Sequence, residues 1–394
     1  MAPVRTRTRL ALALVAAAAL AALALDVHTP AVVAFEPTLL EGVPAERAEG
    51  LVLQQEEPGE VWASRGYAIY RSRNGGDFEK VVTVLPRFGE AWAGFSATLR
   101  RAFGYQELVE VLPLSEDLLI AFAGGDIHRI DLSNATQERV AELRFFGRGQ
   151  GRGVMAHGLT EDDRGRIYYG EYATGPGYET RTARIWRSDD QGRSFEVAFE
   201  FAPGAVRHIH GVQWDPVGRA IWVSTGDRDA GSRIGFSRDG AKSFEWIGEN
   251  SQDYRACSLL FLEPIVAWGM DADHAESSLL RYERSDSRIT KASPPLPAPA
   301  FYAHPLDARS GLVGLAEFDA GAYYVDLEGP PLRVFSFTPP SPPRRGPHPV
   351  LRLARGSTPD PSFVHLNPLR TVEEEAAIFR VGSRAVISRA AALR

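Results

Sequence analysis

Short β-rich segments recur along this chain, and their spacing limits the folds that it can adopt. Each segment contains apolar runs separated by turns rich in glycine and aspartate, and successive segments start about 45 to 50 residues apart. The starts lie near residues 61, 108, 153, 206, 255, 301 and 350, and the last is the faintest. Helical periodicity is limited to the apolar N-terminus and residues 372–379.

A unit of this length that holds four strands and repeats many times is typical of a β-propeller. The sequence therefore predicts an all-β protein, a β-propeller of seven blades with four antiparallel strands each, with six blades as the alternative. We expect a signal peptide or membrane anchor at 1–25, a linker at 26–44, the propeller at 45–385 and a tail at 386–394.

The N-terminus predicts export. Arg5, Arg7 and Arg9 precede an apolar run at 10–25, which suits a secretory signal, with an uncleaved anchor as the alternative. We therefore expect a periplasmic or secreted protein, or one tethered to the membrane through this segment alone. The net charge of −6 gives no reason to expect a nucleic-acid partner, and the single cysteine excludes an intrachain disulfide.

Two phrases of the repeat share their polar residues. AHGLTEDDRGRIYYGE at 156–171 and RHIHGVQWDPVGRAIWVSTGD at 207–227 both run from His-Gly through a turn to Gly-acid. In an antiparallel hairpin the start of the first strand and the end of the second lie at one edge. Aligning the units, with His304 opposite Glu317, predicts that one group of residues gathers at one mouth of the central channel. These are Arg207, His208, His210, Asp227, Arg255, Asp271, His157, Glu171 and His304.

Three interpretations of this group remain open. The polar residues solvate the channel mouth, or several imidazoles bind a metal, or the group binds a carbohydrate. In the carbohydrate interpretation an acidic sugar is bound by Arg207, Arg255, His157, His208, Asp271 and His304. Glu171, Asp227 and His210 are then the candidate catalytic groups. We expect a glycan or polysaccharide as partner, a monomer, and no cofactor, with a metal at the channel mouth as the alternative.

A second phrase, Ser-x-Asp-x-Gly-x-Ser-Phe, occurs late in several units. Its residues are Ser188, Asp190, Gly192 and Phe195, then Ser237, Asp239 and Phe244, and in a shorter form Ser72 and Asn74. The phrase resembles the Asp-box, or BNR repeat, of the sialidase-like propellers, and the resemblance covers roughly residues 60–290. It implies that these residues form structural turns far from the active site.

The resemblance also implies a carbohydrate-directed protein of the uncharacterised bacterial branch labelled sialidase-like or glycosyl hydrolase. Sialidases bind the substrate carboxylate through three arginines and carry an Arg-Ile-Pro segment. This sequence has no such segment, and only Arg207 and Arg255 are obvious candidates for the arginines. Two hypotheses follow: an exported hydrolase or lyase acting on an acidic glycan, or a non-catalytic propeller that binds a glycan or protein in envelope or polysaccharide assembly.

Overall fold

The computed structural model describes residues 29–87, 107–147, 149–272, 276–341, 347–356, 360 and 362–394. The described chain is built almost entirely of strands, which form seven sheets of four or five strands and one small three-stranded sheet. The predicted N-terminal signal or anchor lies outside the described residues. Within those residues, no helix has the length and apolar character needed to cross a membrane.

The seven larger sheets are the blades of a β-propeller. Blades 1 to 6 each take four strands that follow one another in chain order, and only blade 3 is interrupted by another strand, Tyr172–Ala173. The strands of the six blades are Val52–Glu57, Glu60–Arg65, Ala68–Arg73 and Phe78–Thr83; Val109–Pro113, Leu118–Ala123, Asp126–Asp131 and Thr136–Glu142; Leu159–Glu161, Ile167–Gly170, Arg184–Ser188 and Glu196–Glu200; His208–Asp215, Ala220–Gly226, Arg233–Ser237 and Glu245–Glu249; Leu260–Phe261, Ile265–Gly269, Leu279–Glu283 and Ile289–Lys291; Ala300–Pro305, Gly311–Leu315, Ala322–Val325 and Leu332–Phe335. Val32–Val33 lies on the outer edge of blade 1, and the small sheet consists of Phe146–Gly147, Gly151–Gly153 and Tyr172–Ala173. The other elements of the described chain are the 3₁₀ turns Tyr178–Thr180, Asp229–Gly231 and Gln252–Tyr254 and the helix Ser383–Ala392.

Blade 7 combines strands from both parts of the chain. Its inner strands are Val350–Arg352, Phe363–Leu369 and Ala377–Gly382, and its outer strands are Val43–Glu49 and Glu36–Leu40. Val43–Glu49 pairs antiparallel with Ala377–Gly382. Because early and late strands share one sheet, the blades close into a ring and the sheet edges that a propeller must protect are paired.

This closure corrects three expectations from the sequence. Glu36–Leu40 is a strand of blade 7, although it falls in the predicted linker at 26–44. The predicted helix at 372–379 is wrong, because Ala377–Gly382 is a strand. A helix begins instead at Ser383 and crosses the predicted boundary between the propeller and the tail. Glu and Ala favour helices in isolation, but pairing on both sides and burial of this strand override that preference.

Apolar side chains fill the space between neighbouring blades. The second strands of blades 4 and 5, Ala220–Gly226 and Ile265–Gly269, are buried at every position. Trp222 and Trp268 belong to one cluster between these blades. Burial of one large apolar side chain contributes roughly 1.5 to 3 kcal/mol, so each interface anchors its two sheets.

Strand direction divides the ring into two rims. In blade 4 the register pairs His208 with Gly226 at one end and Asp215 with Ala220 at the other. We call the end that carries His208 the upper rim and the end that carries the Asp215–Ala220 turn the lower rim. First strands begin and second strands end at the upper rim, so residues that follow a second strand lie there.

The Asp-box turns join third and fourth strands and therefore lie on the lower rim. The Oδ1 atom of Asp190 accepts hydrogen bonds from the Ser188 hydroxyl, at 2.8 Å, and from the Ser194 N–H, at 2.9 Å. Asp239 makes the same two contacts, with Ser237 at 2.7 Å and Ser243 at 3.0 Å. These side chains are satisfied within their own turns, which is what a structural role requires.

Candidate functional site

Two histidines and an aspartate converge at the upper rim of blade 4. Side chains alternate along a strand, so His208 and His210 share one face. Their Nε2 atoms lie 2.9 Å apart, and each lies near Oδ1 of Asp227, at 3.1 and 3.3 Å. A Cβ atom on Gly226 would lie 2.8 Å from Cε1 of His210. The glycine before the acid in the repeated phrase therefore makes room for the imidazole.

The environment of His208 determines which nitrogen of its ring carries hydrogen. Its Nδ1 atom lies 2.6 Å from the carbonyl oxygen of Ala173, which can only accept a hydrogen bond. The ring also stacks on Tyr172, with centroids 4.1 Å apart. Nδ1 is thus protonated, and Nε2 is the ring atom that faces His210 and Asp227.

Asp227 is the anionic centre of this group. Its Oδ2 atom accepts a hydrogen bond from Nη1 of Arg207 at 2.5 Å. Burial opposes ionisation of the carboxyl group, but the contacts with His208 and His210 hold its pKa well below the usual range. Burial lowers the pKa of His210 to about 4, so this ring is neutral at pH 7 beside an ionised carboxylate.

A second carboxylate lies on the other side of His210. Nη2 of Arg255 is 3.2 Å from Oδ2 of Asp271, and the Cys257 thiol donates to the same oxygen at 3.4 Å. Burial raises the pKa of Asp271 to about 7 and raises that of Cys257 well above its ordinary value. Arg255 is buried, with 8% of its side chain exposed, and also lies 3.6 Å from Asp227. It therefore links the carboxylates of blades 4 and 5.

Three arginines form a partly exposed group beside these residues. We call Arg144, Arg181 and Arg207 the arginine patch. Arg144 and Arg181 place their guanidinium groups 4.9 Å from the ring centre of Phe145. Arg181 donates to the carbonyl oxygen of Gly175 at 3.1 Å and Arg207 to that of the preceding Thr174 at 2.7 Å, so the three cations are close. Burial and the charges of Arg207 and Arg144 lower the pKa of Arg181. Sequence reasoning missed Arg144 and Arg181, because both lie in connecting segments outside the repeated phrase.

Glu171 supplies part of the counter-charge of the patch. Nη1 of Arg144 donates to its Oε1 at 2.9 Å, and the indole N–H of Trp186 donates to the same oxygen at 2.9 Å. Burial raises the pKa of Glu171 despite these partners. The candidate catalytic residues Glu171, Asp227 and His210 thus all lie at the upper rim, but Glu171 contacts a different arginine from the other two.

The structure does not bring His157 and His304 to this group. His157 lies inside the channel, with its ring 5.0 Å from that of Tyr302. His304 pairs with Leu312 near the lower rim, and its Nε2 atom is 3.8 Å from Oε2 of Glu56. Its alignment with Glu317 is therefore wrong, since that residue follows the upper end of Gly311–Leu315. The alignment places His304 at the start of its strand, whereas the structure places it near the end.

Two sets of atoms in the site could hold a metal ion. The first set is Nε2 of His208, Nε2 of His210 and Oδ1 of Asp227, and the second is Nδ1 of His210, Sγ of Cys257 and Oδ2 of Asp271. In the first set, hydrogen bonding of His208 Nδ1 to a backbone carbonyl is the contact that orients metal-binding imidazoles in many proteins. In the first set, His208 therefore already has the contact that orients a metal-binding imidazole.

A column of ion pairs fills the channel next to the upper rim. Arg352 and Arg355 both donate to Oε2 of Glu110, each at 2.8 Å. Glu107 lies 3.1 Å from Arg370 and 3.2 Å from Arg152. All but Arg152 are buried, so these partners satisfy charges that would otherwise be costly inside the protein.

Comparison with solved structures supports the architecture. No family model and no curated protein matches the chain. An oligogalacturonate lyase from Vibrio parahaemolyticus is similar with a TM-score of 0.58 and 9% identity, covering 89% of this chain and 96% of that one. YCF48 bound to a D1 peptide has a TM-score of 0.51 and 8% identity, covering 91% and 98%.

A third similar structure is the extracellular domain of a putative hybrid two-component system from B. thetaiotaomicron. Its TM-score is 0.51 at 12% identity, covering 88% of this chain and 39% of that one. At such low identities these likenesses show the fold alone. They confirm the predicted β-propeller, and they carry no evidence for the sialidase or BNR assignment.

Proposed function

We propose that this protein binds an acidic glycan at the upper rim, with the arginine patch as the main contact. The observation that supports the proposal most is Arg181. Among the described residues no carboxylate lies within ion-pair distance of it, and its guanidinium donates only to the carbonyl oxygen of Gly175, at 3.1 Å. Burial and the charges of Arg207 and Arg144 lower the pKa of Arg181, and the opposite effect of Glu171 and Glu179 is smaller. A bound carboxylate would relieve this repulsion.

The two arginines predicted from the sequence have different roles in this proposal. Arg207 keeps 34% of its side chain exposed while it contacts Asp227, so it can share its guanidinium with a ligand. Arg255 is almost fully buried between Asp227 and Asp271 and serves to join blades 4 and 5. The ligand-binding group is therefore Arg144, Arg181 and Arg207, which lies beside blade 3.

The proposed ligand class is a uronate oligomer. A sugar carboxylate offers two oxygens that match the paired N–H groups of a guanidinium, and a charged hydrogen bond contributes about 1.5 to 3 kcal/mol. A protein of similar fold is an oligogalacturonate lyase, which makes oligogalacturonate the natural first probe. Export through the predicted N-terminal signal belongs to the same proposal, because it would bring the domain to extracellular polysaccharide.

The geometry favours binding over catalysis. Neutral His210 could accept a proton and Glu171, with its raised pKa, could donate one. However, only 2% of the His210 side chain is exposed, and Asp227 already contacts Arg207 and both histidines. A hydrolase or lyase step through Glu171, Asp227 and His210 would require these groups to become accessible to the sugar.

Calorimetric titration with trigalacturonate tests the proposal. We expect binding by the wild-type protein and at least a tenfold weaker affinity for Arg181→Ala, since loss of one charged contact removes about 1.4 kcal/mol or more. Arg193→Ala is the matched control, because this exposed arginine lies in the Asp-box turn of blade 3. Equal affinities for the two variants, or no binding by the wild type, would contradict the proposal. Unsaturated products in the same samples would reveal lyase activity.

A further inference from the structure

A cavity opens at the lower rim, opposite the arginine patch. Its volume is about 450 Å³, and residues from all seven blades line it. We call it the lower cavity; the residues that matter most for its chemistry are Gln55, Glu57, His157, Glu161, Trp214 and Phe261. The volume lies in the range of small-molecule sites.

The charged residues around the lower cavity are mostly acidic. Glu57, Glu60, Glu116 and Glu161 all line it. Glu57 accepts a hydrogen bond from the side-chain amide of Gln55 at 3.0 Å, and in the described part of the chain neither Glu57 nor Glu161 has a cation within ion-pair distance. The neighbouring Asp162 and Asp163 differ, because Arg166 and Arg219 neutralise them. Glu57 and Glu161 are thus carboxylates without a cationic partner.

Both carboxyl groups resist ionisation in the lower cavity. Burial above all raises the pKa of Glu57 and of Glu161 to about 7, and the charges of Asp162 and then Glu57 add to the shift of Glu161. Two negative charges that approach each other in a partly enclosed space are unfavourable unless a cation lies between or beside them.

Two buried polar atoms in the same cavity lack hydrogen-bond partners. They are Nε2 of His157 and Oε1 of Gln55, among the described residues. Only 4% of His157 and 9% of Gln55 is exposed, and both residues line the cavity. A buried polar atom without a partner costs about 1 to 3 kcal/mol, so these atoms indicate that the cavity is built for a ligand with complementary hydrogen-bonding groups.

We propose that the lower cavity binds a small alkyl diamine or polyamine. Its ammonium groups would donate to Glu57, to Glu161, to the side-chain oxygen of Gln55 and to Nε2 of His157. The methylene groups would pack against Trp214, Phe261 and Leu112, which line the apolar part of the wall. Arg355, which also lines the cavity, keeps its guanidinium on Glu110 and the backbone of Val111 and Ala156 and leaves the carboxylates free.

This site is independent of the proposed glycan site. The upper rim carries guanidinium groups and would take an anion, whereas the lower cavity carries carboxylates and would take a cation. The ion-pair column fills the channel between them, around Glu110 and Arg352. Failure of one proposal therefore leaves the other intact.

Calorimetric titration of the full chain with spermidine at pH 8 tests the inference. We expect binding, and at least a tenfold loss of affinity in the double variant Glu57→Gln/Glu161→Gln. The control Glu79→Gln/Glu196→Gln removes two exposed carboxylates from the same two blades and should bind as the wild type does. Trigalacturonate affinity should be equal in all three proteins, which separates this test from that of the upper rim.

Three results would overturn the inference. They are absence of spermidine binding at millimolar concentration, equal loss of affinity in both double variants, and displacement of spermidine by an equal concentration of Mg²⁺, which would indicate attraction to the overall charge. If the double variant does not fold, the single variant Glu161→Gln replaces it, with the same expected direction and a smaller, severalfold loss.

Discussion

The side chain of Asn367 bonds to the backbone of Leu53 across the junction between blades 7 and 1. Its Oδ1 atom accepts the N–H of Leu53 at 2.8 Å. Its Nδ2 atom donates to the carbonyl oxygen of Ala377 at 2.7 Å and to that of Leu51 at 3.1 Å. One fully buried amide therefore satisfies three backbone groups at the point where the ring closes.

This relationship predicts a large effect of removing the amide. In Asn367→Ala, three buried backbone groups lose their partner, so we expect the free energy of unfolding to fall by about 3 kcal/mol. Urea denaturation followed by circular dichroism measures the change. A loss below about 1 kcal/mol would mean that water replaces the amide and that closure relies on the strand pairing alone.

The cluster of His208, His210 and Asp227 predicts stabilisation by zinc. We expect a molar excess of Zn²⁺ to raise the Tm of the wild-type protein by several degrees, because an ion bound only by the folded state stabilises it. His208→Ala should abolish the rise, since it removes one of the three atoms of the first ligand set. Cys257→Ala, which spares that set, should keep it. The opposite pattern between the two variants would assign the ion to the second set.

Three carboxyl groups should each make stability fall as the pH rises from 5 to 8. In the folded protein the pKa of Glu57, Glu161 and Asp271 is raised to about 7 in each case, above the unfolded value. At these three groups the folded state therefore holds more protons than the unfolded state between about pH 4.5 and 7, so their contribution to stability declines over that window. His210, whose pKa is lowered to about 4, contributes with the opposite sign.

Glu161→Gln isolates one contribution to this slope. The neutral amide cannot lose a proton, so we expect the free energy of unfolding at pH 8, relative to that at pH 5, to be higher in the variant than in the wild type by on the order of 2 kcal/mol. Urea denaturation at each pH measures it, with Glu196→Gln as an exposed control in the same blade. An unchanged slope in Glu161→Gln would place the titration on other groups.

The Asp-box predicts a change in stability without a change in binding. In Asp190→Ala the N–H and hydroxyl of Ser194 lose their acceptor, which should cost about 1 kcal/mol because the turn is largely open to water. Thermal unfolding measures this loss. Trigalacturonate affinity should stay at the wild-type value, and a weaker affinity would show that the lower-rim turn contributes to the upper-rim site.

The repeat was sufficient to predict the fold and part of the site. Arg207, His208, His210 and Asp227 belong to one hairpin, so pairing rules alone bring them together. The predicted position of His304 is wrong because an alignment of its unit by the histidine, rather than by the turn that follows, shifts the strand relative to those of the other blades. Arg144 and Arg181 lie in segments with no regular pattern, and their approach to Arg207 depends on how the small sheet and the following loop pack.

Blade closure was also beyond sequence reasoning. The strand Val43–Glu49, VPAERAE, lacks the apolar alternation of the other strands. Its extended conformation depends on pairing with the strands on either side of it, which its own sequence does not reveal. Glu46 in this strand contacts Arg380 in the neighbouring strand, with 2.6 Å between Nη2 and Oε2. The composition of Val43–Glu49 and that of Ala377–Gly382 give no indication that these two segments pair.

The contact between Glu46 and Arg380 joins residues 334 positions apart in the chain. During synthesis Val43–Glu49 emerges early but must wait for Ala377–Gly382 before its inner edge is paired. Loop closure over such a separation is slow, and an unpaired strand edge is prone to pair with other chains. The nascent protein should therefore be most dependent on chaperones in the interval before its seventh blade is complete, and a chain that stops short of Ala377 would keep that exposed edge permanently.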